Sequence, residues 1–166
     1  MLVLGIDPGT HWIGYGLVLL EQDRYRALDS GRIEVGTDIP FPNRLSVIYH
    51  AVADLLERTK PEVAAVEEVY VTSNAKTTLR LGHARGVILL AILERNVPVA
   101  EYAPREVKQA VVGNGAAGKR QVQWMMNQML SLGSKEVFED EADALAVALC
   151  HGLRVKSTIP KIAERS

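Results

Sequence analysis

Leu2-Val3-Leu4-Gly5-Ile6-Asp7-Pro8-Gly9-Thr10 is an apolar run that ends in a carboxylate and is stopped at once by Pro-Gly. The run predicts a buried strand over Leu2–Asp7, since a short apolar segment bounded by turn residues fits a strand with both faces covered. A carboxylate at the end of such a strand is desolvated, which is costly unless it is paired or bound to a cation. Val63-Ala64-Ala65-Val66-Glu67 repeats the design, and a third acidic position is the pair Asp140/Asp143. Several such positions converging point to a divalent-cation site, and oxygen-only ligands select hard ions such as Mg²⁺ or Mn²⁺.

Working outward, Ile13–Leu20 reads as a second strand, with Gly14 and Gly16 marking tight backbone approach or a bulge, and Gly31–Val35 as a third. The short connections imply an antiparallel meander, followed by a turn-rich loop over Thr37–Pro42. Leu45, Ile48, Tyr49, Val52, Leu55 and Leu56 follow helical spacing between Asn43 and Arg58, with Asn43 as cap and Pro61 as terminator. Val63–Glu67, a helix over Leu79–Glu94 and a strand over Val97–Tyr102 form the crossover that parallel strands require. Helices at Pro104–Val112, Lys119–Leu130 and Asp140–Val155 follow, with a flexible loop at Gly113–Gly118. The expected fold is therefore α/β: a five-stranded mixed sheet, three antiparallel strands then two parallel, with helices on both faces, the ribonuclease H-like arrangement. Residues 1–156 are expected to form one domain and 157–166 a flexible C-terminal tail.

The bulk composition narrows the class. The 166 residues, 48% of them hydrophobic, suit one domain with a substantial core. The apolar stretches around Val87–Leu93 and Ala142–Cys150 fall short of the roughly 20 residues of a membrane helix, and no signal peptide is expected, since the N-terminus shows no basic segment leading one. A soluble, intracellular protein is expected. The single cysteine, Cys150, has no intrachain partner and reads as a small buried hydrophobe, its neighbour His151 points another way on the helix, and His11, His50 and His83 show no metal-ligand spacing. Net charge is −1, yet residues 74–120 carry +5, which leaves −6 elsewhere. A positive segment beside acidic clusters suits a polyanion held next to a cation site; solvated helix charge is the plainer account.

Asp7 and Glu67 end strands expected to be neighbours, so both side chains reach one sheet edge, a frequent location for α/β sites. Asp140 and Asp143, three residues apart, share one helix face. The repulsion among such carboxylates is relieved by protonation or by cations. Two ions about 3.5–4 Å apart stabilise both the attacking and the leaving oxygen of a phosphodiester. No Ser-His-Asp or Cys-His pattern offers another hydrolytic route. Each acid also has a structural reading: Asp7 as a turn residue, Glu67 as a strand-end charge beside Glu68, Asp140 as a helix N-cap.

At these residues the chain resembles the RuvC family of bacterial Holliday junction resolvases. The likeness runs through Gly5-Ile6-Asp7-Pro8-Gly9-Thr10, Gly14-Tyr15-Gly16, Val66-Glu67-Glu68-Val69-Tyr70, Asn74-Ala75, Leu81-Gly82-His83-Ala84-Arg85-Gly86, Glu101-Tyr102-Ala103, Val107-Lys108-Gln109, Val112-Gly113 and Ala142-Asp143-Ala144-Leu145-Ala146. It implies a homodimeric, Mg²⁺-dependent endonuclease, with two ions per site and Mn²⁺ as a substitute, making paired symmetric nicks in four-way DNA junctions during recombination and repair. It assigns catalytic or metal-ligand roles to Asp7, Glu67 (over Glu68), Asp140 and Asp143. Lys119 and Lys108 match basic positions near the scissile phosphate, and Tyr70 matches an aromatic that stacks against bases at the junction point. Lys76, Arg80 and Arg85 are weaker candidates for DNA backbone contact. RuvA and RuvB as branch-migration partners and a cytoplasmic, nucleoid-associated location also follow from the resemblance. Tyr70 stands where a family member has phenylalanine and Glu68 where it has glutamine, while Glu139 and Glu141 add charge around Asp140.

Three rivals are weighed against this reading. The first turn also resembles the phosphate-binding turn of sugar kinases and actin-like ATPases, but those need two lobes and a second phosphate loop. A non-catalytic junction-binding module gains nothing from clustered negative charge near phosphates. A related nuclease acting on RNA or flaps differs only in substrate.

Overall fold

The computed structural model describes residues 1–22, 24–71, 73–133 and 137–158. Five strands form one sheet: β1 (Leu2–Asp7), β2 (Trp12–Glu21), β3 (Arg24–Glu34), β4 (Val63–Glu67) and β5 (Val99–Tyr102), in the order β3-β2-β1-β4-β5. The pairs β1/β2 and β2/β3 are antiparallel, whereas β1/β4 and β4/β5 are parallel. The helices are α1 (Phe41–Thr59), α2 (Ala75–Leu93), α3 (Pro104–Val112), α4 (Lys119–Leu130) and α5 (Glu139–Thr158).

Strand alternation sorts the core into two layers. Leu4, Ile6, Ile13, Leu17, Ala64 and Val66 turn to one face, where Ile48, Val52 and Leu56 of α1 and Ala84, Ile88 and Ile92 of α2 cover them. Val3, Val18, Val63 and Ala65 turn to the other, under Val107 of α3, Met126 of α4 and Leu145 and Leu149 of α5. Helices thus lie on both faces, as expected.

The helix α5 lies directly on β1 and β2 because those strands present glycine to it. A Cβ on Gly5 would meet the Ala144 carbonyl oxygen at 2.0 Å, and one on Gly14 the Asp140 carbonyl oxygen at 1.9 Å. Gly16, paired with Gly5 across the ladder, abuts Leu145 in the same way. The glycines therefore serve close approach; the register shift in β2/β3 falls at Leu17/Val18 instead.

Several boundaries differ from the sequence expectation. The third strand begins at Arg24 rather than Gly31, as a charged edge strand. The first helix begins at Phe41 with Pro40 as N-cap, which places Asn43 inside the first turn. Asn74 caps α2, accepting the Thr77 amide at 3.1 Å, so that helix starts at Ala75 rather than Leu79. Helix α5 starts at Glu139, which makes Asp140 a first-turn residue rather than the cap, and continues through Ser157 and Thr158. The rest of the expected tail, residues 159–166, lies outside the described residues.

Candidate active site

The site is assembled at one end of the sheet from three elements. Asp7 ends β1 opposite Gly14, and Glu67 follows Val66, the partner of Ile6, so the two acids end adjacent parallel strands. Both are odd-numbered, as are Val3, Val63 and Ala65, and so face the layer occupied by α5. Glu68 is exposed, so of the two neighbouring glutamates the register turns Glu67 toward α5. Asp140 and Asp143 enter from the first turn and a half of α5, brought down onto Asp7 by the bare backbone of Gly14.

The electrostatics follow from this crowding. Burial, then the charges of Glu67, Asp143 and Asp140, push the Asp7 carboxyl up to about 8. Burial and Asp143 raise Glu67 to about 7, against the lowering influence of Asp7, Lys119 and Lys108. The directions within the pair describe a protonated Asp7 that donates its hydrogen bond to Glu67. Burial also raises Asp143, although Lys119 opposes it.

Lys119 is the first residue of α4, a helix whose start is fixed by the Gly118 amide donating to Gln121 Oε1 at 3.1 Å. Its Nζ donates to Asp143 Oδ2 at 2.9 Å and also to Glu139. Burial acts to lower the Lys119 pKa, but these two carboxylates outweigh it and hold the ammonium above its ordinary range. Glu139, an exposed side chain, is drawn below its ordinary range by the same contact. Glu67, Lys108, Lys119 and Asp143 together line a cleft of about 250 Å³ floored by Val107, Val122 and Ala146.

The remaining candidates lie farther out. Tyr70 is 59% exposed, so its ring is not part of the core. Lys76 and Arg80 are exposed on α2, with Arg80 over the Phe41 ring at 5.2 Å. Arg85 is tied down: it pairs with Glu101 and its Nε donates to the Glu67 carbonyl at 3.3 Å, steadying the end of β4.

Sequence reasoning missed two features. Glu139 shares Lys119 with Asp143, for which helix spacing gave no sign. Arg32 of β3 stands opposite Gly14, sandwiched between Phe138 at 3.5 Å and Trp12 at 4.4 Å, with Nη1 3.8 Å from Asp140 Oδ2. Three segments remote in sequence meet there, and no local pattern announces it.

Among the described residues, no three acidic, histidine or cysteine side chains stand in ligand geometry. Asp7 is bonded to Glu67 and Asp143 to Lys119 instead. The donor chemistry nonetheless fits a hard divalent ion: all four groups are carboxylates, and their crowding raises proton affinity where a cation would relieve it.

A sequence profile described as Crossover junction endodeoxyribonuclease RuvC matches residues 3–151. The RuvC crossover junction endodeoxyribonuclease of Moorella thermoacetica is 53% identical over 153 residues, 91% of this chain and 90% of that protein. Its counterpart in Desulforamulus reducens is 45% identical over 151 residues, 91% of this chain and 93% of that one. The solved structure of Thermus thermophilus RuvC in complex with Holliday junction substrate superposes with a TM-score of 0.88 at 35% identity, covering 95% of this chain and 96% of that one. The yeast mitochondrial Holliday junction resolvase Ydc2 shares the fold at a TM-score of 0.65 and 18% identity, covering 92% of this chain and 80% of that one. With the profile match, the identity and nearly the whole length in agreement, the chain belongs to the RuvC family of crossover junction endodeoxyribonucleases.

Proposed function

We propose that this chain resolves four-way DNA junctions by paired, symmetric phosphodiester hydrolysis, with Asp7, Glu67, Asp140 and Asp143 as the reactive cluster. The observation that carries the reading is the facing of these carboxylates across two strand ends and one helix, with Asp7 pushed to about 8 and Glu67 to about 7. Such a cluster opposes folding and serves a purpose only where charge is delivered to it. Two Mg²⁺ ions, with Mn²⁺ as a substitute, would be held by these four residues and would supply charge neutralisation at the attacking and leaving oxygens.

The chain's own residues do the rest. Lys119, oriented by Asp143 and Glu139, and Lys108 across the same cleft orient the scissile phosphate. Exposed Tyr70 stacks on a base near the crossover, an interaction worth roughly 1–3 kcal/mol. Lys76 and Arg80 contact the DNA backbone, while Arg85 acts through Glu67 by holding its backbone.

Paired nicks need two sites, and α2 offers the surface for a homodimer. Leu79, Leu90 and Leu93 are exposed on it, and Gly82 and Gly86 meet nothing within 4 Å. RuvA and RuvB as branch-migration partners and action in the bacterial cytoplasm, at the nucleoid, complete the proposal. No helix among the described residues is long and apolar enough to cross a membrane.

The test is cleavage of a synthetic four-way junction against linear duplex, with and without Mg²⁺ or Mn²⁺. The expected result is junction cutting that requires a divalent ion. Asp7→Asn should lower it by at least about a hundredfold, more than loss of an outer-shell partner alone, while junction binding survives. An uncut junction, or a fully active Asp7→Asn, would sink the proposal.

A further inference from the structure

The Trp12–Arg32–Phe138 sandwich holds a guanidinium at the rim of the acidic cluster, on the α5 face of the sheet. A guanidinium has five N–H donors in a rigid fork. Among the described residues, those of Arg32 reach no acceptor within hydrogen-bond distance; Asp140, at 3.8 Å, is an ion-pair partner only. The side chain is 24% exposed, so it has given up much of its water without gaining a hydrogen bond. The two rings fix the plane, and both rings are themselves open to solvent. A cation so placed is pre-organised for an acceptor from outside. Beside a phosphodiester-cutting cluster, that acceptor is an anionic oxygen of the strand being cut.

We infer that Arg32, clamped between Trp12 and Phe138, binds a backbone phosphate of the junction strand next to the scissile bond. The contact approaches from the β3 side, whereas Lys108 and Lys119 come from α3 and α4. The inference rests on the junction-cutting reading above and adds a residue and a direction of approach to it.

Junction binding in EDTA, titrated against salt, tests it without cleavage. Arg32→Met keeps the aliphatic packing and removes the donors. Its affinity is expected to fall on the order of tenfold, with the salt dependence of log K reduced by about one. Arg32→Lys, a point charge without the fork, should fall between. Should Arg32→Met prove unstable on heating, Phe138→Leu, which loosens an exposed ring without removing charge, should weaken binding in the same direction. Wild-type affinity and salt slope in a folded Arg32→Met protein would overturn the inference. If such a protein also cut slowly with Mg²⁺, Arg32 would be a positioning residue for Asp140 instead. Failure of the wild type itself to bind the junction would overturn the functional reading along with it.

Discussion

Asp7 carries a pKa of about 8 against an ordinary 3.8, and Glu67 about 7 against 4.5. Both folded values lie above the unfolded ones, so between about pH 4 and pH 8 the native state holds more protons than the unfolded chain. Stability from this pair is complete below about pH 4 and is lost as pH rises through the folded values. Thermal unfolding of the metal-free protein in EDTA should show Tm declining across that window, and Asp7→Asn should flatten the decline. Added Mg²⁺ at pH 8 should raise Tm, since a ligand that binds only the folded state stabilises it. A Tm that rose with pH across this window would contradict the account. How much of this was legible differs residue by residue. Asp7 and Glu67 announced themselves as charges closing apolar runs, and alternation chose Glu67 once the strand register was known. Arg32 gave no sign, because its surroundings come from positions 12, 138 and 140.

The seating of α5 on β1 and β2 depends on having no side chains at Gly5 and Gly14. Gly14→Ala would place a methyl 1.9 Å from the Asp140 carbonyl oxygen. Helix backbone must then retreat, at an overpacking cost of roughly 1–3 kcal/mol, measurable by denaturant unfolding. Cleavage should fall further than stability does, because Asp140 moves with the backbone that is displaced. Element ends were legible where punctuation was strong: Leu2–Asp7, Val63–Glu67, Pro104–Val112 and Lys119–Leu130 coincide with their expected bounds. The first three are closed by Pro8, Glu68 and Gly113, and the last opens on the Gly118-Lys119 boundary. The first half of β3 was illegible because Arg24 and Arg26 give an edge strand no apolar run. The start of α2 was hidden by Lys76, Thr77 and Thr78, a polar first turn whose cap is visible only in the Asn74 hydrogen bond.

Periodicity alone did not distinguish the two faces of α2. Ala84, Ile88, Ala91 and Ile92 are buried against the sheet, whereas Leu79, Leu90 and Leu93 remain exposed, at 62%, 50% and 58%. This open apolar stripe is the face on which the proposed homodimer would associate. Leu90→Glu should leave the fold intact and give a monomer by sedimentation, and its cuts in a junction should lose their pairing. A Leu90→Glu protein that remained dimeric would exclude this face. The seating of α5 against the first strand also bears on how the molecule is made. A ribosome delivers Asp7 and Glu67 long before Asp140 and Asp143, and amino-terminal segments begin to fold first. A nascent chain therefore holds only two of the four cluster acids until α5 emerges and settles into the glycine seam. On the proposed roles of Asp140 and Asp143, a polypeptide that stops before Glu139 should be unable to nick DNA, which junction cleavage by a chain truncated after Phe138 would measure.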